Sequence, residues 1–134
     1  MAASDEPPSA PTPLSLELHE HTPSLSAMRR WISDAFGDLS EDVVEDAQLT
    51  VTELVSNAYD HGRHPRQLRL LRIEASRCLR IEVDDASPDM PTLGRSRLSD
   101  TRGRGLIIVN KIAEQWGVLP HSVGKTVWAE LLCD

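Results

Sequence analysis

The strongest constraint on this chain is one amphipathic segment, SEDVVEDAQLTVTELVSNAYDHG, running from Ser40 to Gly62. Val44, Ala47, Val51, Leu54, Val55 and Ala58 recur at three- and four-residue steps, so a helix gathers them into one apolar stripe. Ser40 can cap the free N–H groups at the start, Glu41 and Asp42 suit the positive end of the helix dipole, and Gly62 is a good stop. The spacing predicts a helix of about 20 residues, which needs other elements to cover its stripe. Helical phase also puts Glu53 and Asn57 one turn apart on one face, with Asp60 and His61 continuing it. On spacing alone these four are either a solvated face or a site. Their mixture gives the second reading its chemistry. A glutamate can act as a general base, and an asparagine oxygen is a hard ligand suited to Mg²⁺.

The remaining pattern builds a domain around this helix. Residues 1–13, MAASDEPPSAPTP, hold four prolines and little to bury, which predicts a disordered leader. LSLELHE alternates Leu14, Leu16 and Leu18 with polar residues, as a half-buried strand does. Pro23 and Ser24 open a helix through Leu25, Met28, Ile32 and Phe36 that ends near Gly37. QLRLLRIEAS and CLRIEVDD read as a hairpin turning near Ser76 and Arg77. GLIIVNKIAEQW restores helical spacing through Leu106, Val109, Ile112, Ala113 and Trp116. GVLPHSV and KTVWAELLC then read as a second hairpin, with Gly124 and Lys125 at its turn. Between the first hairpin and the last helix lies 86–103, ASPDMPTLGRSRLSDTRG, a loop long enough to imply function or mobility. The order βα-α-ββ-α-ββ predicts an α+β fold, a two-layer sandwich whose mixed, mostly antiparallel sheet is covered on one face by helices. At 134 residues there is room for one such domain, 14–134.

Strand phase marks a second candidate. In LRIEVDD, Leu79, Ile81 and Val83 share the core face, and two-residue alternation carries Asp85 onto it. A carboxylate aimed into the interior is costly unless something donates hydrogen bonds to it. Two readings stand: the strand has already turned into loop and Asp85 is solvated, or Asp85 is a buried acceptor for an amine such as that of adenine. A third candidate is TRGRGL, Thr101 to Leu106, where Gly103 and Gly105 free the backbone to approach an anion just as a helix begins.

Other features carry less. SVGKT, Ser122 to Thr126, ends like a phosphate-binding loop, but that motif needs Gly where Leu119 stands and a helix where VWAELL reads as strand. Cys78 and Cys133 lie in apolar runs and are expected as buried core thiols. Trp31, Trp116 and Trp128 sit inside elements and are expected in the core. His19 and His21 lack metal-ligand partners, and Ser24, Ser26 and Ser33 show no base–nucleophile arrangement. The net charge of −7, from 21 acidic against 14 basic residues, argues against non-specific nucleic-acid binding and allows a basic protein partner. No apolar run approaches the ~20 residues of a membrane span, and the acidic, Pro-rich start does not read as a signal peptide, so the cytoplasm is the expected setting.

Taken in this order, the pieces resemble the GHKL ATPase superfamily with its Bergerat fold. ELVSNAYDHG resembles the N box, VDDASPDMP a degenerate first glycine box, GRGLIIVNKIAEQWG the second and GKTVWAEL the last. A free-standing domain of this size is most similar to the anti-sigma-factor serine kinases of actinobacterial partner switching. The resemblance implies ATP and Mg²⁺ as cofactors. It makes Glu53 the general base toward an acceptor serine, Asn57 the Mg²⁺ ligand and Asp85 the acceptor from the adenine amine. It places Arg102, Gly103, Arg104, Gly105 and Leu106 at the phosphates, the glycines letting backbone amides cradle them and either arginine reaching the γ-phosphate. Residues 86–103 become the nucleotide lid, Thr126 lines the adenine end, and Asp60 and His61 join the nucleotide site in supporting positions. The implied partners are a sigma factor and a small antagonist protein carrying the acceptor serine, with a homodimer left open. Ser87 and Asp89 stand where the family commonly has glycines, so an alternative is a regulatory binding module of the same fold that holds nucleotide without catalysis or not at all. An ATPase fragment of a larger machine is a third reading.

Overall fold

The computed structural model describes residues 14–19, 21, 23–89 and 102–133. The leader 1–13 and most of the expected lid, 90–101, lie outside the described residues, as do the side chains of 102–105. Strand β1 (Leu14–Leu18) is followed by helices α1 (Leu25–Ala35) and α2 (Glu41–His61). The hairpin β2 (Arg66–Ile73) and β3 (Cys78–Asp85) comes next, then α3 (Arg102–Ile112) and the hairpin β4 (Gln115–His121) and β5 (Gly124–Leu132). The sheet order is β1-β2-β3-β5-β4, and each pairing is antiparallel.

Local chemistry explains where the helices begin and end. Ser24 and Ser40 cap α1 and α2, their hydroxyls accepting from the N–H of Ala27 and Val43 at 3.3 and 3.2 Å. At the far end of α2 the Gly62 N–H donates to the Ala58 carbonyl at 2.8 Å. Arg66 of β2 reaches back, Nε donating to the Ala58 carbonyl at 2.8 Å and a terminal nitrogen to Gly62 O at 3.2 Å. A guanidinium at the negative end of a helix complements the dipole and adds a donor to the carbonyls of the last turn.

The helices cover one face of the sheet. Ala47, Val51, Leu54, Val55 and Ala58 of α2 join Met28 and Ile32 of α1 and Leu106 and Val109 of α3. The sheet answers with Leu68, Leu70, Leu79, Ile81, Val83, Val127, Ala129 and Leu131, the alternate residues of three strands. Register then sorts the polar residues. Asp85 pairs with Lys125 and Asp84 with Thr126, so Asp85 and Lys125 follow the core phase while Asp84 and Thr126 point the other way.

On that other face the side chains form a charged ladder. Arg80 donates to Glu82 at 2.6 Å and Glu130 at 2.8 Å, and its guanidinium lies 4.2 Å from the centre of the Trp128 ring. Arg69 donates to Glu82 at 2.9 Å and to both oxygens of Asp84 at 2.5 and 2.9 Å. Thr126 extends the chain, donating to Asp84 at 2.6 Å and lying 2.7 Å from His121 Nε2.

Several expectations change. Trp116 belongs to β4, not to the last helix, because the Glu114 N–H already donates to Glu130 O at 2.7 Å and opens the strand pairing. Trp128 stacks under Arg80 on the outer face instead of filling the core. Cys78 is buried, but Cys133 is only half-buried. The second hairpin turns at Ser122 and Val123, leaving Gly124 and Lys125 inside β5. Helix α3 starts at Arg102, so Gly103 and Gly105 belong to its first turns and not to the loop before it.

Candidate functional site

Helix α2 packs against β3, β5 and α3, and the candidate site follows its edge. Asn57 is 8% exposed, and its side chain makes no hydrogen bond with another described residue. One turn earlier, Glu53 is half-buried, and that burial pushes its carboxyl above the ordinary glutamate range. Asp60 and His61 lie exposed in the final turn. At Gly62 the helix meets the end of β3 so closely that a Cβ there would stand 2.5 Å from Asp85 Cγ and 2.5 Å from the Ala58 carbonyl oxygen. Only glycine permits this approach.

The contact sets a scale. At about 1.5 Å per residue, Asn57 lies about 7 Å and Glu53 about 13 Å along α2 from the Gly62–Asp85 junction. Helix α3, whose opening N–H groups have no intrahelical partners, packs beside α2.

Asp85 is 5% exposed, the interior carboxylate that strand phase anticipates, and it is not solvated. The chain itself supplies its donors. The Ser87 N–H donates to Oδ1 at 2.7 Å, and Lys125 Nζ lies 3.1 Å from each carboxylate oxygen. The same ammonium donates to the Ser87 carbonyl at 3.1 Å, and Lys125 is 2% exposed. Gly124 opens β5 at φ +153, where an added Cβ would fall 2.1 Å from the Asp85 carbonyl oxygen. The Gly62 backbone, an N–H and a lysine therefore enclose the carboxylate, while Gly124 packs on the main chain of Asp85.

The start of the expected lid follows from this. The Ser87 side chain is buried and its hydroxyl accepts from the Asp89 N–H at 3.2 Å. Asp89 itself is exposed, so its charge is directed outward.

The structure thus sets Asp85 against the C-terminal end of α2, the helix that carries Glu53 and Asn57 one turn apart, with Asp60 and His61 exposed in its last turn. It does not bring Thr126 to them: Thr126 lies on the opposite face of the sheet, bonded to Asp84 and His121. Leu106 contributes its side chain to the core. The reach of Arg102 and Arg104 falls outside the described side chains. The residue that sequence reasoning missed is Lys125. Its signal was the alternation Lys125, Val127, Ala129, Leu131, which places it on the core face opposite Asp85.

Among the described residues no group of three or more His, Cys, Asp or Glu side chains could hold a metal ion. Asn57 could offer one amide oxygen to a Mg²⁺ ion, which favours few protein oxygens beside phosphate and water. No helix among them is long and apolar enough to cross a membrane.

The sequence pattern of the family described as the histidine kinase-like ATPase domain matches residues 18–131. No curated protein sequence matches the chain. Among solved structures, the RsbU and RsbW domains of Rv1364c from Mycobacterium tuberculosis are similar at a TM-score of 0.66 and 14% identity, over 90% of this chain and 32% of that one. The histidine kinase domain of the Erythrobacter litoralis EL346 blue-light activated histidine kinase gives 0.52 at 18% identity, over 81% of this chain and 59% of that one. The Erythrobacter litoralis EL346 blue-light activated histidine kinase itself gives 0.58 at 18% identity, over 81% of this chain and 40% of that one. The chain spans about a third of the mycobacterial polypeptide, and likeness at these identities is one of fold.

Proposed function

The chain belongs to the histidine kinase-like ATPase family, and from that premise we propose that it is an ATP- and Mg²⁺-dependent serine protein kinase and anti-sigma factor, which phosphorylates a small antagonist protein and sequesters a sigma factor. One observation carries the catalytic part: the order of groups along α2. Asp85 stands at its end, Asn57 about 7 Å in and Glu53 about 13 Å in, a sequence suited to a base, a metal-bridged polyphosphate and a terminal phosphoryl group.

In this reading Asp85 accepts from the adenine amine, Asn57 holds Mg²⁺ against the phosphates, and the amides at the start of α3 meet phosphate oxygens. Arg102 or Arg104 serves the γ-phosphate, and residues 86–103 close over the nucleotide. Bound Mg²⁺ neutralises charge developing on the phosphates. Glu53 takes the proton of the acceptor serine as that oxygen bonds to the terminal phosphorus and the bond to the leaving ADP breaks. Its partial burial makes it a stronger base than an exposed glutamate. The net charge of −7 supports a basic protein partner such as a sigma factor in the cytoplasm, without direct nucleic-acid contact.

Incubation with labelled ATP, Mg²⁺ and a candidate antagonist tests the proposal. Label is expected on a serine, with Glu53→Ala lowering the rate by about 100-fold or more. An antagonist that binds without acquiring label sinks the kinase. A second reading, the regulatory module without catalysis, is favoured by the internal engagement of Asp85 and by Ser87 and Asp89 in the first glycine box. It predicts antagonist binding unaffected by ATP.

A further inference from the structure

Lys125 belongs to a motif that reads as a turn in the sequence, yet its ammonium is buried against Asp85, the group assigned to the nucleotide base. We propose that Lys125 is a built-in occupant of the base site, an intramolecular competitor that must release Asp85 before an adenine amine can reach it. This inference rests on reading the α2 edge as a nucleotide site and concerns how that site is regulated.

The argument is one of hydrogen-bond places. Asp85 Oδ1 already accepts from the Ser87 N–H and from Lys125, and Oδ2 faces the same ammonium. The Lys125 ammonium donates to Asp85 Oδ1 and to the Ser87 carbonyl, each at 3.1 Å, and its ion pair brings Asp85 Oδ2 to 3.1 Å as well. The side chains of both partners are 2% exposed, so no open side of the carboxylate is left. A ligand amine must therefore displace something. Gly62 and Gly124 press backbone atoms against Asp85, and Ser87 binds it through its main chain; none of these can withdraw without moving an element. Lys125 alone among the contacts is a flexible side chain on four methylenes.

Competition has a thermodynamic consequence. Shortening or neutralising Lys125 leaves Asp85 short of a donor in the empty protein, and a bound base amine restores one. The empty state loses more than the bound state, so affinity rises. Lys125 also ties Ser87 to β5 through the Ser87 carbonyl, so its release removes that tie as the base enters.

Calorimetric titration of ADP with Mg²⁺ into wild type, Lys125→Met and Lys125→Thr tests this. Threonine suits a strand and retains one hydroxyl donor, which guards against loss of the fold. Binding tighter than wild type by about tenfold or more is expected in either variant that folds. Equal or weaker binding there overturns the inference while leaving the nucleotide site standing. No binding by wild type or variant removes the nucleotide reading and the inference together. A readout on the wild-type chain needs no variant to fold. The sequence holds two lysines, and Lys111 is exposed as an internal control. Saturating ADP is expected to raise modification of Lys125 by an amine-reactive reagent relative to Lys111; unchanged protection with ADP bound overturns the proposal.

Discussion

Thr50 is fully buried on α2, and its hydroxyl is the buried side-chain polar atom without a hydrogen-bond partner among the described residues. Valine has the same shape and no hydroxyl to strand. Thr50→Val is therefore expected to stabilise the fold by about 1 kcal/mol, read as a higher urea midpoint at unchanged slope. A lower midpoint would show that the hydroxyl has a partner in solution. Glu53 presents the converse case, a charged group held where burial disfavours its charge. Burial raises its pKa, so the folded state at neutral pH carries an ionised carboxylate it disfavours. Glu53→Gln removes that penalty; the variant should melt at a higher temperature than wild type near pH 7 while losing phosphoryl transfer. Equal melting temperatures would show that the carboxylate is fully hydrated. The sequence made Glu53, Asn57 and Asp85 legible because helical and strand periods are local. It did not reveal Lys125, because a Gly-Lys pair reads as a turn until the register with β3 is known. The same register removes Thr126 from the site, since one residue along a strand is a change of face.

Among the elements, α2 was legible from end to end: its stripe, its serine cap and its glycine stop are all encoded within the segment. The boundary between α3 and β4 was not. Trp116 continues a helical spacing from Ala113, but pairing with β5 claims it, and long-range partners are invisible to periodicity. Gly62 shows how an element's end can carry the site. Any Cβ at this position meets both the Ala58 carbonyl oxygen and Asp85 Cγ at 2.5 Å, so α2 must move away from β3. Gly62→Ala is expected to cost about 1–3 kcal/mol in urea unfolding and to weaken ADP binding as well. His61→Ala, one residue earlier and exposed, should stay within about 0.5 kcal/mol of wild type. Comparable losses in the two variants would mean that the junction is not as tight as the contacts imply.

For the whole molecule, the two faces of the sheet titrate in opposite senses. On the helix side, Glu53 has a raised pKa in the folded protein, so folding takes up a proton there and its penalty is relieved as pH falls through that raised value. On the outer side, burial raises the Asp84 pKa, but hydrogen bonds from Arg69 and Thr126 outweigh it and hold the group below the ordinary aspartate range. A carboxylate depressed in this way contributes stability at all pH values above its unfolded pKa, and that contribution disappears as pH falls through the folded one. The two windows do not coincide, because one lies above and the other below the usual carboxylate range. From about pH 7 downward, the melting temperature should first hold or rise slightly as Glu53 protonates, then fall steeply once Asp84 does. Glu53→Gln should flatten the first limb and leave the second. Arg69→Ala should move the acid limb to higher pH, because Asp84 loses its bidentate partner and its folded pKa returns toward the unfolded one. An acid limb unmoved by Arg69→Ala would mean that the outer ladder contributes nothing to acid stability, and that the core face alone sets where the protein unfolds.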